Sequence, residues 1–89
     1  MKILAVCGLG MGTSLILRMN IEEVLAAEGV SAEVEHSDAS SANGEKCDYI
    51  VTTREIAGSL TNPQGEIIIL DNFIDKDEIR KVLKENKIV

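Results

Sequence analysis

The apolar residues of this chain alternate between strand-like and helix-like spacing. The opening KILAVC is almost continuously apolar, which predicts a strand buried on both faces of a sheet. After a glycine-rich turn, apolar residues recur three and four positions apart, which predicts an amphipathic helix that stops at Gly29. The predicted strands are Lys2–Cys7, Ala32–Ser37, Asp48–Thr52 and Glu66–Leu70. The predicted helices are Ser14–Ala27, Arg54–Leu60 and one capped by Asp75, with Glu78 as the partner in a capping box.

Four strands, each followed by a helix or turn, predict an α/β fold with a parallel sheet. Right-handed crossovers favour an open, flavodoxin-like four-stranded sheet in the order 2-1-3-4, with helices on its faces. Ligands of such sheets bind at the carboxyl ends of the strands, near the switch point beside strand 1. Cys7 and the glycines after it fall at that edge.

Composition excludes several classes of function. The 89 residues are 45% apolar and 27% charged, enough for one folded domain, and they include no Trp, one Tyr and one Phe. A net charge of -6 argues against binding nucleic acid or anionic lipid, and no apolar run is long enough for membrane insertion. Two cysteines make no disulfide framework, which together with the lack of a signal-peptide pattern predicts a cytoplasmic protein. One His and no Cys-x-x-Cys pair leave no recognisable metal site, and we expect no cofactor.

Charge is unevenly distributed. Residues 1–21 hold two of the nine bases and none of the fifteen acids. An acid-free segment in an acidic chain is suited to a place where negative charge must be accommodated, although short apolar segments also lack acids by chance.

The segment with the most chemical information is CGLGMGTS, between the first strand and the first helix. Alternating glycines allow the backbone to approach a ligand closely, and the helix N-terminus adds free amides and partial positive charge. The predicted phosphate cradle consists of Gly8, Leu9, Gly10, Met11, Gly12, Thr13 and Ser14, with Cys7 at its head as the nucleophile. A helix N-terminus lowers the pKa of a cysteine, and the same amides would bind phosphoryl oxygens.

Other phosphate-binding loops fit less well. A Walker loop needs Lys before its Ser or Thr, and a dinucleotide fingerprint needs a third glycine where Thr13 stands. A cysteine phosphatase closes its loop with Arg six residues after the cysteine, which is again Thr13. Two alternatives to phosphoryl transfer stay open: a low-molecular-weight phosphatase or arsenate-reductase relative, and a non-enzymatic phosphate-sensing module.

The opening KILAVCGLGMGTS resembles the phosphorylation loop of enzyme IIB of the bacterial sugar phosphotransferase system, most closely its ascorbate branch, with the galactitol and lactose branches further off. The resemblance covers the whole chain and implies a single IIB domain over residues 1–89. It also implies that Cys7 accepts a phosphoryl group from a phosphohistidine on enzyme IIA. Cys7 then passes the group to a sugar, ascorbate or a related carbohydrate, that membrane enzyme IIC imports.

Several residues near this edge have two interpretations. Leu9 and Met11, continued by Leu15 and Met19, are candidates for a docking surface, but the latter two fit the core equally well. Arg18 is either a pairing partner for acids of another protein or, as we expect, a solvated helix base. His36 is either a residue near the cradle that senses the phosphate or, as we expect, a hydrogen-bonded histidine of an edge strand. Thr52, Thr53 and Arg54 follow the third strand at the pocket rim. Cys47 is expected to precede that strand, far from Cys7, and to be structural and unreactive.

Overall fold

The computed structural model describes residues 1–6, 11–72 and 74–89, with residues 11 and 12 described by their backbone only. Within these ranges four strands and four helices alternate along the chain. The strands are β1 (Lys2–Val6), β2 (Glu33–Ser37), β3 (Lys46–Thr53) and β4 (Gln64–Leu70). The helices are α1 (Met11–Ala27), α2 (Ala39–Ala42), α3 (Arg54–Ala57) and α4 (Lys76–Glu85).

The strands form one open parallel sheet in the order β2-β1-β3-β4, which confirms the predicted topology. β1 lies at its centre. Ile3 and Ala5 point into a core cluster shared with α1 and α4, whereas Leu4 and Val6 point into a smaller cluster beneath α2 and α3. All four side chains are fully buried, as the apolar run predicts for a strand covered on both faces.

The first helix begins earlier than predicted. We expected it to start at Ser14, but α1 starts at Met11 and includes Gly12. Glycine in a helix costs only about 0.5–1 kcal/mol relative to alanine, so the fifteen helical residues that follow Gly12 outweigh it. The predicted end is confirmed: Gly29 has a φ of 70°, and the amide of Val30 reaches the carbonyl of Leu25 in a Schellman motif.

Several other boundaries also differ from the prediction: β2 begins at Glu33 rather than Ala32, β3 ends at Thr53 rather than Thr52, and β4 begins at Gln64 rather than Glu66. α3 ends at Ala57 rather than Leu60, because Gly58 follows and the chain leaves the helix through two looser turns. β3 begins at Lys46 rather than Asp48, and an irregularity in its pairing with β4 between Lys46 and Tyr49 accommodates the extra residues.

The last helix is fixed to the sheet by its first turn. The Asp75 carboxylate accepts hydrogen bonds from the amides of Asp77 (3.0 Å) and Glu78 (3.2 Å), as a cap should. A capping box would also have the Asp75 amide donate to the Glu78 carboxylate, and this part of the prediction is wrong. The Glu78 carboxylate instead accepts from the amides of Asp71 (2.6 Å) and Asn72 (3.1 Å). Glu78 therefore ties α4 to the end of β4. None of the helices in the described ranges is long and apolar enough to cross a membrane.

The irregular start of β3 makes a specific demand on Gly65. A Cβ at this position would lie 2.8 Å from both the carbonyl oxygen and the Sγ of Cys47. We predict that Gly65→Ala lowers the free energy of unfolding by about 2 kcal/mol, the usual cost of forcing an atom into packed structure. Urea denaturation would measure the change.

Gly58→Ala is the matched control, because its added Cβ would meet its nearest neighbour, the Glu55 carbonyl, at an ordinary 3.6 Å. This variant should be unchanged or slightly stabilised. Equal stabilities of the two variants would contradict the close packing inferred for Gly65.

Candidate functional site

The predicted site lies where the chain passes from β1 into α1. β1 ends at Val6, and the helix starts at Met11, at the carboxyl edge of the sheet beside the switch point between β1 and β3. The predicted site residues Cys7, Gly8, Leu9 and Gly10 lie outside the described residues. The structure therefore describes both sides of the cradle.

The first turn of α1 is suited to bind an anion. The amides of Met11, Gly12 and Thr13 have no carbonyl four residues back within the helix, and amides at such a helix start can donate to a ligand. The first turn holds no acidic residue, and the partial positive charge of a 17-residue helix is directed towards this edge. Such a helix start can bind a phosphate or stabilise a thiolate without a cationic side chain.

Thr13 and Ser14 have different environments. Both belong to the first turn of α1 rather than to the preceding loop. Thr13 is half-buried, whereas Ser14 is only 1% exposed. Of the two hydroxyls, Thr13 is thus the one with access to the surface.

Thr52 is buried more deeply than the sequence predicts. It pairs in register with Val6, so it lies beside the last described residue before Cys7. We expected it at the pocket rim, but it is fully buried, and its hydroxyl has no hydrogen-bond partner in the described part of the chain. The burial follows from its place in β3, the strand between β1 and β4.

The residues after Thr52 lie at the predicted rim. Thr53 is the N-cap residue of α3, although its side chain makes no capping hydrogen bond. Arg54 is exposed, and its guanidinium is 3.3 Å from the Asp71 carboxylate at the end of β4. Because both side chains are mostly in solvent, this pair contributes little to stability.

Arg18 is not the solvated base that the sequence predicted. Its guanidinium is half-buried between α1 and β2, donates to Nδ1 of His36 at 3.1 Å and lies 3.7 Å from the Glu22 carboxylate. A guanidinium only donates, so Nδ1 of His36 is the acceptor and carries no proton. The expectation of a hydrogen-bonded histidine on an edge strand is confirmed, since β2 pairs only with β1 within the sheet.

The α1 patch is an exposed apolar surface formed by Leu15, Ile16 and Met19. Their exposed fractions are 42%, 47% and 54%, so Leu15 and Met19 belong to the surface rather than to the core. Ile16 was missed in the sequence because it lies outside the apolar stripe of α1. Adjacent exposed apolar side chains of this size are typical of binding surfaces.

Cys47 lies at the amino-terminal end of β3, at the edge of the sheet opposite the predicted site. It belongs to β3, whereas the sequence predicts that it precedes that strand. It is half-buried, and burial raises the pKa of its thiol, with a smaller contribution from Glu45. A raised pKa reduces the thiolate fraction and hence the reactivity. In the described ranges, no three His, Cys, Asp or Glu side chains come together as metal ligands.

Together, the fold and this edge define an α/β protein with an anion-binding helix start at its switch point. Residues 2–85 match the family described as "PTS system, Lactose/Cellobiose specific IIB subunit". The chain therefore belongs to the enzyme IIB components of the sugar phosphotransferase system, and the family predicted from its opening residues is confirmed.

Individual relatives carry the ascorbate name. The chain is 27% identical over 88 residues to the "Ascorbate-specific PTS system EIIB component" of Mycoplasma pneumoniae. The aligned region covers 96% of this chain and 93% of that protein. Proteins of the same name from Shigella sonnei and Escherichia coli O157:H7 are 36% and 34% identical over 74 residues, covering 76% of this chain and 69% of each relative.

The environment of Cys47 predicts low reactivity. In a Cys7→Ser variant Cys47 is the only thiol, since the chain has two cysteines. We expect iodoacetamide at pH 8 to alkylate the folded variant several-fold more slowly than the same chain in urea, because the raised pKa and burial both oppose the reaction. Mass spectrometry over time would measure both rates. Equal rates in the folded and unfolded chain would contradict the protected environment.

Proposed function

We propose that this chain is a phosphocarrier whose Cys7 accepts a phosphoryl group from a phosphohistidine of enzyme IIA and passes it to a sugar bound by enzyme IIC. The observation that supports this most is the start of α1. Its acid-free first turn begins four residues after Cys7. Under this proposal the whole chain, residues 1–89, acts as one IIB domain on the cytoplasmic side of the membrane.

The first step exchanges one bond to phosphorus for another. The Cys7 thiolate attacks the phosphorus, the S–P bond forms, and the N–P bond to the donor histidine breaks. A helix N-terminus favours the thiolate form of a nearby cysteine, so the nucleophile needs no separate base. In the second step a sugar hydroxyl attacks the phosphorus, an O–P bond forms and the S–P bond breaks. The thiolate leaves, and the proton of the hydroxyl passes to solvent.

The predicted cradle supplies electrostatic stabilisation. Phosphoryl transfer depends mainly on positioning and on donors directed at the charged oxygens. We assign this role to the backbone from Gly8 to Ser14, namely Gly8, Leu9, Gly10, Met11, Gly12, Thr13 and Ser14. The acid-free helix start in this segment supports the assignment, because amides at a helix N-terminus can donate to an anion. The relay needs no cofactor and no metal.

The α1 patch is our candidate for the surface that enzyme IIA and enzyme IIC contact. It lies on the same helix as the amides of Met11, Gly12 and Thr13, within about two turns of them, so a partner seated there reaches the cradle. The acidic residues one turn further along, Glu22 and Glu23, are already paired with Arg18 and Lys76, so the patch favours a partner with an apolar centre.

For the sugar, we propose ascorbate or a related carbohydrate. The support is the name shared by the relatives from three bacteria, one of which the chain covers almost completely. The sugar itself is expected to contact enzyme IIC rather than this chain.

Phosphorylation of Cys7 is directly testable. Incubation with enzyme I, the phosphocarrier protein, enzyme IIA and phosphoenolpyruvate should add one phosphate to the wild-type chain and to Cys47→Ser, as measured by intact mass at neutral pH. Cys7→Ser should stay unlabelled. Labelling of Cys7→Ser, or loss of labelling in Cys47→Ser, would contradict the assignment. Rapid turnover of an aryl phosphate would instead favour the phosphatase alternative.

Docking on the α1 patch predicts a separable effect. Ile16→Glu and Met19→Glu place charge on exposed sites, so each should keep its melting temperature. Each should nevertheless slow phosphoryl transfer from enzyme IIA by roughly tenfold, mainly as a raised KM, because a charge is buried in the complex.

Ala26→Glu is the matched control, since Ala26 is exposed near the opposite end of α1. It should transfer at the wild-type rate. If Ala26→Glu slows transfer as much as Ile16→Glu does, overall charge rather than the α1 patch is responsible.

A further inference from the structure

Asn43 and Gly44 form a sequence that is open to spontaneous chemical change. Asn43 is the only one of the five asparagines of the chain that precedes a glycine. In an Asn-Gly sequence the glycine nitrogen can attack the side-chain amide of the asparagine, because glycine has no side chain to hinder the approach. The nitrogen bonds to Cγ, ammonia leaves, and water opens the resulting succinimide ring to aspartate or isoaspartate.

The fold nevertheless makes use of both residues. Gly44 has a φ of 85°, a conformation that other residues adopt only with strain. The Oδ1 atom of Asn43 accepts hydrogen bonds from the amides of Thr61 and Asn62, both at 3.0 Å. Asn43 thereby joins the turn after α2 to the turn before β4. An apolar residue in its place would remove the acceptor of both amides.

The same contacts oppose the reaction. The Gly44 amide donates to the carbonyl of Asn62 at 3.0 Å, so its nitrogen cannot lose its proton and turn towards Cγ while this hydrogen bond lasts. The hydrogen bonds to Oδ1 hold the side-chain amide that would be attacked. Gln64 supports the arrangement, because its Nε2 donates to Oδ1 of Asn62 at 3.0 Å. We call these hydrogen bonds among Asn43, Gly44, Thr61, Asn62 and Gln64 the 43–62 clamp.

We propose that Asn43 is a deamidation site that the 43–62 clamp closes in the folded chain and that reacts only when the clamp opens. Its rate is then the rate in the unfolded chain multiplied by the fraction of molecules in which the clamp is open. Hydrogen exchange of the Gly44 amide needs the same opening, because the same N–H must leave the Asn62 carbonyl. Folding should therefore slow the two reactions by the same factor.

The test compares deamidation with hydrogen exchange in the full chain. Peptide mass spectrometry after incubation at pH 8 should show Asn43 converting at least about tenfold more slowly in the native chain than in guanidinium chloride. This factor should agree within about threefold with the protection factor of the Gly44 amide measured by NMR. Asn43→Gln in guanidinium chloride should show no conversion at this position, because its longer side chain does not form the five-membered ring.

Gln64→Ala and Lys81→Ala test the clamp within the folded chain. Gln64 is exposed, so its replacement should leave the melting temperature near the wild-type value while it loosens Asn62. Deamidation and exchange of Gly44 should both become faster, and by the same factor. Lys81→Ala, an exposed change on α4, should alter neither rate.

Two results would overturn the proposal. One is deamidation of Asn43 at the same rate in the native and the unfolded chain. The other is a change in the deamidation rate of Gln64→Ala without a change in the exchange of Gly44, since the reaction would then not require opening of the clamp.

Discussion

The burial of β1 on both faces is the constraint on which the rest of this structure depends. Ile3 and Ala5 pack on one side of the sheet, Leu4 and Val6 on the other, and none of them is exposed. A strand held in this way has one register with each neighbour, because a shift by one residue would exchange its two faces. The end of β1 thus lies at a fixed point, with Val6 between Ser37 of β2 and Thr52 of β3.

Much of the fold could be predicted because its determinants are local. The apolar run of β1, the glycine after α1 and the Asp75 cap each depend on a few neighbouring residues, and all three are confirmed. The sheet order followed from general rules for crossovers. The family could likewise be identified from the opening residues, because a cysteine before three alternating glycines is an uncommon pattern.

What could not be predicted depends on contacts between distant parts of the chain. Arg18 has the sequence context of a surface helix base, but its partner His36 is eighteen residues away on β2. Glu78 stands at the capping-box position, but its carboxylate accepts hydrogen bonds from the amides of Asp71 and Asn72 after β4 instead. Thr52 is the last residue of the strand predicted from the sequence. Its burial depends on the pairing of β3 with Val6 of β1 and Ile69 of β4, which the sequence does not show. Whether Cys7 and its neighbours adopt the predicted cradle stays a prediction.

Under the proposed function, the small size of the α1 patch has a consequence for the kinetics of sugar import. Three exposed side chains on one helix cover much less area than a long-lived complex buries. If donor and acceptor use the same patch, they exclude each other, and the carrier must leave one before it meets the next. A weak contact is then an advantage, because the dissociation rate of each encounter sets an upper limit on how many sugars the system can import per second.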